Sequence, residues 1–252
     1  MDFKDQTVLV TGASRGIGRA IAVQFAEQGA SLAIHYNRNR GAAEECLSQL
    51  KGGPHIIVQA DVSVAEEIKS MVETVIKKMD RIHVLVNNAG IFEEHPVPSL
   101  NYEEWQDAWR RTIDTNLIGS ANVAFLVARH MIEKGGGRIV NVTSRGAFRG
   151  EPDAPAYGAS KAGQNALSQS LAKAMAPHNI YVYAVAPGWV KTDMAKEALT
   201  SLEGDAIRNQ SPMGRVATPE EVAKAVVFLS SEGTDYLTGC IVDINGASYL
   251  RT

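Results

Sequence analysis

The chain has 252 residues, a formal net charge of −3, 45% hydrophobic and 21% charged residues, the profile of an ordinary soluble globular protein. Interspersed charge of this balance argues against a surface built to neutralise nucleic-acid phosphates, and no run of 18 apolar residues is present to cross a membrane. The stretch Met1–Asp5 has no apolar signal core, so a cytoplasmic location is expected. Cys46 and Cys240 have no motif spacing and the six histidines are scattered, which predicts neither a disulfide nor a metal site.

Thr7–Val10 reads as a first strand, ended by Thr11-Gly12-Ala13-Ser14-Arg15-Gly16-Ile17-Gly18 and an amphipathic helix from Arg19 to Gln28. Strand, glycine-rich turn and helix in that order make a nucleotide site plausible: glycines let backbone approach a pyrophosphate, and the helix start offers free N–H groups. The spacing is G-x-x-x-G-x-G, not the commoner G-x-G-x-x-G. The pattern then repeats. Ser31–His35 and His55–Ala60 read as strands two and three, with a helix over 42–51 between them. Asp61-Val62 follows strand three, with Ser63 as a credible N-cap for the next helix. Ile82–Val86 is strand four, ending in Asn87-Asn88-Ala89-Gly90, and one long helical region is predicted from about Tyr102 to Lys134. Arg138–Thr143 is strand five, leading to Ser144. A helix from about 156 to 176 holds Tyr157 and Lys161, and Ile180–Ala186 is strand six, cut off by Pro187-Gly188. Residues 190–218 look like an insertion with one or two short helices. Glu220–Ser230 is the last helix and Gly239–Ile244 the seventh strand.

This alternation predicts one α/β domain over 1–252, a doubly wound parallel sheet of Rossmann type with helices on both faces and ligands at the carboxyl ends of its strands. Thr11, Asp61, Asn87, Ser144 and Pro187-Gly188 fall at those ends, where caps and turns also call for such residues. Asn116 interrupts a helical run, either as a surface residue or to hold a water or kink the helix toward a site. Tyr157 and Lys161, four residues apart, share a helix face. That spacing alone is common helix decoration, but a nearby cation favours phenolate and would bring a phenol into useful acid–base range.

Together, Thr11–Gly18, Asp61-Val62, Asn87–Gly90, Asn116, Ser144, Tyr157-x-x-x-Lys161 and Pro187-Gly188-x-x-x-Thr192 resemble the short-chain dehydrogenase/reductases over essentially the whole chain. The resemblance implies that Tyr157 is the general acid–base and that Lys161 lowers its pKa and binds the nicotinamide ribose. It implies that Ser144 holds the substrate oxygen, and that Asn116 holds a water linking Lys161 to solvent. The implied cofactor contacts are Gly12, Ser14, Arg15, Gly16, Ile17, Gly18, Tyr36, Asn37, Arg38, Asp61, Val62, Asn88, Ala89, Gly90, Tyr157, Lys161, Pro187, Gly188, Val190 and Thr192. NAD-binding members usually place an acid at the end of strand two; here Tyr36 stands there, and Arg15 and Arg38 are placed to meet a 2′-phosphate. NADP(H) is therefore favoured, with NAD(H) the alternative.

Three segments, 91–100, 145–155 and 189–213, should line the substrate pocket, with Phe92, Glu93, His95, Arg145, Phe148, Arg149, Glu151, Trp189 and Met194, and 190–213 should form a lid. The general pattern is similar to the 3-oxoacyl-(acyl-carrier-protein) reductases and to glucose-type sugar dehydrogenases. A small carbonyl or secondary-alcohol substrate is expected, a ketone or 3-oxoacyl group first and sugar 1-oxidation second. Arginines that such reductases carry before strands five and six are replaced by Lys134 and by Pro177-His178-Asn179, which weakens the case for an acyl carrier. Asn245-Gly246-Ala247 departs from the Asn-Gly-Gly of many members. A non-catalytic dinucleotide sensor would predict erosion of Ser144, Tyr157 or Lys161, and a methyltransferase would leave the last two unexplained. The resemblance also implies a homotetramer, with helices around 102–134 and 156–176 at one interface and the small residues Ala162, Gly163, Ala166 and Ser170 able to pack closely.

Overall fold

A computed structural model describes residues 1–251. In chain order the elements are β1 (Thr7–Val10), α1 (Gly16–Glu27), β2 (Ser31–Tyr36), α2 (Arg40–Gln49), β3 (His55–Gln59), α3 (Ala65–Met79), β4 (Val84–Asn87), α4 (Tyr102–Ile113), a π-turn (Asp114–Ile118) and α5 (Gly119–Glu133). There follow β5 (Gly137–Val142), α6 (Gly146–Arg149), α7 (Pro155–Met175), β6 (Ile180–Pro187), α8 (Asp193–Thr200), α9 (Gly204–Asn209), α10 (Pro219–Leu229) and β7 (Ile241–Ile244). The seven strands form one parallel sheet in the order β3-β2-β1-β4-β5-β6-β7.

Parallel strands covered on both faces must be apolar on both, and β1 and β4 are buried at every residue. Side chains alternate between the faces. Val8 and Val10 join Ile21 and Phe25 of α1 and Val222 and Val226 of α10, whereas Leu9 and Leu85 join Ile68 and Val72 of α3 and Val123 and Val127 of α5. The strand order reverses between β1 and β4, so the loops after these strands diverge and leave a crevice at their carboxyl ends.

Two local expectations are corrected. Ser63 does not cap α3: its N–H and hydroxyl donate to Asp61 Oδ1 at 2.9 and 2.6 Å, and Val64 precedes the helix. A side chain that closes its own turn with the residue two positions back cannot also reach forward to the helix start. The helical region from 102 to 134 is two α-helices joined by the π-turn, in which the extra residue turns Asn116 into the interior. The departure at Ala247 falls where φ is +57°, a conformation that costs a residue with a Cβ about 1 kcal/mol relative to glycine.

Five of the six histidines accept main-chain N–H bonds and so must be neutral. His83 Nδ1 accepts from Thr7 at 2.9 Å, His35 Nδ1 from Gly12 at 3.0 Å, His55 Nδ1 from Leu32 at 3.1 Å, His130 Nε2 from Ile82 at 3.3 Å and His95 Nε2 from Ala156 at 3.0 Å. Burial pushes His35, His55 and His130 below the usual imidazole value and His83 down to about 4. An unfolded chain therefore binds more protons than the folded one between about pH 6.5 and 4, so stability falls as pH falls through that window. The thermal midpoint should be level above pH 7 and drop by on the order of 5 °C or more by pH 4.5. Scanning calorimetry across that range checks this, and His83→Gln should flatten part of the slope.

Candidate active site

The glycine-rich turn after β1 is held from two sides. Thr11 Oγ1 accepts from the N–H groups of Asn88 and Ala89 at 2.9 and 3.0 Å, and Asn88 Nδ2 donates to the carbonyls of Thr11 and Gly12 at 2.9 and 3.1 Å. On the other side His35, at the end of β2, takes the Gly12 N–H, and its second ring nitrogen lies 2.9 Å from the Ala60 carbonyl. Gly12 and Gly16 have φ of +64° and +56°, and a Cβ on Gly18 would run into the Gly12 carbonyl and come within 2.6 Å of Asn88 Nδ2. These contacts require glycine. Among the described residues no side chain caps α1, and the amides of its first turn have no backbone acceptor. A glycine cradle under an uncapped helix start fits the pyrophosphate of a dinucleotide.

The turn opens on a cleft of about 1860 Å³. That exceeds a typical small-molecule pocket and leaves room for a dinucleotide with a second ligand beside it. Every cofactor contact expected from the sequence lines it: Gly12, Ser14, Arg15, Gly16, Ile17 and Gly18 from the turn, Tyr36, Asn37 and Arg38 after β2, and Asp61 and Val62 after β3. Asn88, Ala89 and Gly90 after β4, Tyr157 and Lys161 on α7, and Pro187, Gly188, Val190 and Thr192 after β6 complete that set. The Thr192 methyl would lie 3.3 Å from a Cβ on Gly16, so the start of α8 closes over the turn. Arg15 is exposed and lies 4.0 Å from the equally exposed Asp193 at that start. Ser63 holds the Asp61 carboxyl below its usual range.

Ser144, Tyr157 and Lys161 come together at the floor of this cleft, at the carboxyl end of β5. Lys161 is 4% exposed, and its ammonium donates to the Val142 carbonyl at 2.9 Å and to Gln164 Oε1 at 2.8 Å. Burial lowers its pKa to about 8. The Tyr157 ring lies against Phe92, edge to face with centroids 5.1 Å apart, and Lys161 Nζ is 5.8 Å from its centroid. Burial pushes the Tyr157 phenol up to about 12, with the Ser144 hydroxyl opposing and Glu151 reinforcing the shift. Desolvation dominates the phenol, with the Lys161 ammonium 5.8 Å from its ring centroid.

Asn116 is fully buried, not a surface residue. Its side chain accepts from Ile91 N–H at 2.8 Å and donates to the Ile91 carbonyl at 3.0 Å and Ser160 Oγ at 3.1 Å. These bonds tie the π-turn, α7 and the loop after β4 into one block. Its main-chain carbonyl accepts from Ser120 Oγ at 2.8 Å.

Of the residues expected in the substrate pocket, Phe92, Arg145, Glu151, Trp189 and Met194 line the cleft. His95 does not: it is fully buried and tied to Ala156. Phe148 lies under Arg251, 4.3 Å from the guanidinium carbon, Arg149 pairs with Glu151 at 3.2 Å, and Glu93 pairs with Arg111 at 2.5 Å. Gly163 is also reassigned. A Cβ there would meet Leu117 at 2.8 Å, so it packs within the subunit, while Ala162, Ala166 and Ser170 are exposed.

Comparison with known proteins agrees with this geometry. The family model described as enoyl-(acyl carrier protein) reductase matches residues 12–247. The 3-oxoacyl-(acyl-carrier-protein) reductase of Staphylococcus epidermidis is 36% identical over 248 residues, 98% of this chain and 100% of that protein. Its Chlamydia trachomatis counterpart is 38% identical over 96% of each chain. This chain is a short-chain dehydrogenase/reductase. A dehydrogenase/reductase from Sinorhizobium meliloti superposes with a TM-score of 0.90 at 28% identity, covering 99% and 97% of the two chains. A provisionally named gluconate dehydrogenase from Agrobacterium tumefaciens gives 0.91 at 31%, covering 98% and 97%. Membership makes the protein an NAD(P)-dependent oxidoreductase.

Gln164, Ser120, Ser160 and His35 were not picked out from the sequence. The available signal was the run of polar residues on one face of a helix that has to be buried: Tyr157, Ser160, Lys161, Gln164 and Ser168. For this dehydrogenase/reductase, Asn116→Ala removes three hydrogen bonds and leaves both main-chain groups of Ile91 unpaired. A loss of about 3 kcal/mol is expected from denaturant unfolding, with a concurrent fall in kcat as the loop after β4 loosens.

Proposed function

We propose that the protein is an NADP(H)-dependent reductase of a ketone or 3-oxoacyl substrate. The observation that supports this best is the placement of a phenol and a buried ammonium on one face of α7, at the floor of the cleft entered by the glycine-rich turn. A nicotinamide cofactor bound along that turn supplies the hydride. Tyr157 is the acid that protonates the substrate oxygen, and a phenol held well protonated at neutral pH suits the reducing direction. The Ser144 hydroxyl shares that oxygen and offsets the negative charge that develops on it. Lys161 has three donors, two of them spent on Val142 and Gln164, and the third is left for the cofactor ribose. Asn116 holds the loop at Gly90 against this group, and its carbonyl is the anchor toward which the Lys161 side leads.

The preference for NADP rests on Arg15 and Arg38, which flank the adenosine end of the cleft, and on Tyr36 where an acid would accept from the ribose 2′-hydroxyl. The segment 190–213, with α8 and α9, is the substrate lid, and exposed Met194, Leu202 and Met213 provide the apolar surface it would bury on closing. The 3-oxoacyl reading takes further support from the named reductases that share a third of the sequence over their whole length. A second reading, oxidation of a sugar or sugar acid, is favoured by the charged lining at Glu94, Arg145 and Glu151 and by the similarity to the Agrobacterium protein. Assembly as a homotetramer is supported by exposed Tyr102, Ile118 and Phe125 on the α4–α5 face and by the small exposed stripe on α7. Light scattering should return four times the 27.1 kDa chain mass.

NADPH absorbance should fall with 3-oxoacyl thioesters or simple ketones, faster than NADH absorbance, and rise little when NADP is supplied with glucose or gluconate. Tyr157→Phe should lose about a thousandfold in kcat while binding NADPH with unchanged affinity by fluorescence. Turnover within tenfold of the parent protein would remove Tyr157 from the acid–base role, and a preference for NADH would remove Arg15 and Arg38 from theirs.

A further inference from the structure

Lys161 does not end at the site. Its ammonium reaches Gln164 Oε1 at 2.8 Å, Gln164 Nε2 reaches Ser120 Oγ at 2.7 Å, and Ser120 Oγ reaches the Asn116 carbonyl at 2.8 Å. All of these groups are buried; Gln164 has no exposed surface. The direction of the chain is settled by chemistry. An ammonium only donates, so Gln164 must present its oxygen to Lys161 and its NH₂ to Ser120. Ser120 then accepts from Gln164, which leaves its hydroxyl proton for the Asn116 carbonyl, and that carbonyl only accepts. Each link then pairs one donor with one acceptor, and the opposite orientation of the Gln164 amide would break the first of them.

We propose that Gln164 is a positioning residue for the proton-transfer centre, holding the Lys161 ammonium in place and linking it through Ser120 to the Asn116 carbonyl. The proposal rests on the acid–base reading of Tyr157 given above. A neutral amide has no proton to pass along such a chain, so the work of Gln164 is to orient and solvate a buried charge. It supplies one of two protein acceptors that replace water around the ammonium. Of the titratable groups on the elements around Lys161, Tyr157 on the same helix has its ring centroid 5.8 Å from the ammonium. Glu93 and Glu94 follow β4, Asp114 lies in the π-turn, and Arg145 and Glu151 follow β5, yet burial is the single influence that moves Lys161. The charge therefore depends on neutral acceptors, and removal of one should make it easier to lose.

The test uses two substitutions of nearly the same shape with opposite electrostatic effect. Gln164→Met keeps the volume and removes the acceptor, and the alkaline limb of the kcat/KM profile should move down by about one pH unit. Gln164→Glu places a carboxylate on the ammonium and should move the limb up by a similar amount. NMR titration of isotope-labelled lysine in the wild type and both variants should show Lys161 itself moving in the same two directions. A residue that merely fills space would lower stability or activity in both variants without displacing either titration. Coincident limbs with unmoved Lys161 titrations, or displacements of one sign in both variants, overturn the proposal. If Gln164→Met does not fold, the Glu variant decides alone. If the wild type reduces nothing in the substrate panel, the failure belongs to the proposed function, because the lysine titration still reads the effect of Gln164 without turnover.

Discussion

A lysine ammonium 4% exposed, with burial rather than any charged neighbour setting its pKa, is the constraint on which the interior of this site depends. An isolated buried charge costs several kcal/mol unless polar groups take the place of its water, and here two carbonyl oxygens do so, one from the end of β5 and one from Gln164. That requirement explains why a face of α7 that packs against the sheet is polar. Ser160, Gln164 and Ser168 are fully buried on that face, each within a hydrogen-bond chain that ends on main chain. The apolar clusters on the two faces of the sheet supply stability; the polar seam between α7 and α5 supplies position.

The seam continues into the loops. Asn87 donates to the Ser120 carbonyl and to Asn141, Asn141 donates to Ser168, and Asn116 grips both main-chain groups of Ile91. The ends of β4 and β5 are thereby tied to the π-turn and to α7. The glycine-rich turn is tied to the same strand end through Thr11 and Asn88. The glycine-rich turn and the tyrosine–lysine pair are thus parts of one hydrogen-bonded block, so their relative positions are fixed.

Much of this was legible because it depends on local chemistry and on period. Seven apolar runs alternating with amphipathic stretches allow little besides a covered parallel sheet, and glycine is demanded at 12 and 18 by backbone close approach and at 16 by a positive φ. Asn116 was legible only as an anomaly. Its setting, a π-turn that turns a side chain inward, needs the packing of Gly163 against Leu117 and of Gly119 under Val62, which no local pattern displays. His95 was read as a pocket residue because it lies in a polar loop, yet it folds inward to take the Ala156 N–H at the start of α7.

Family and fold class were legible in the sequence alone, since each follows from residue type at fixed spacing and from the period of the apolar runs. Tertiary structure decided the electrostatics. Whether a lysine four residues from a tyrosine lowers that phenol's pKa depends on how much water each group retains, and that is a property of the elements packed over them. Burial sets the phenol at about 12 and the ammonium at about 8. It also recruited Gln164 and Ser120, which lie 44 positions apart and meet only because α5 and α7 pack on the same face of the sheet.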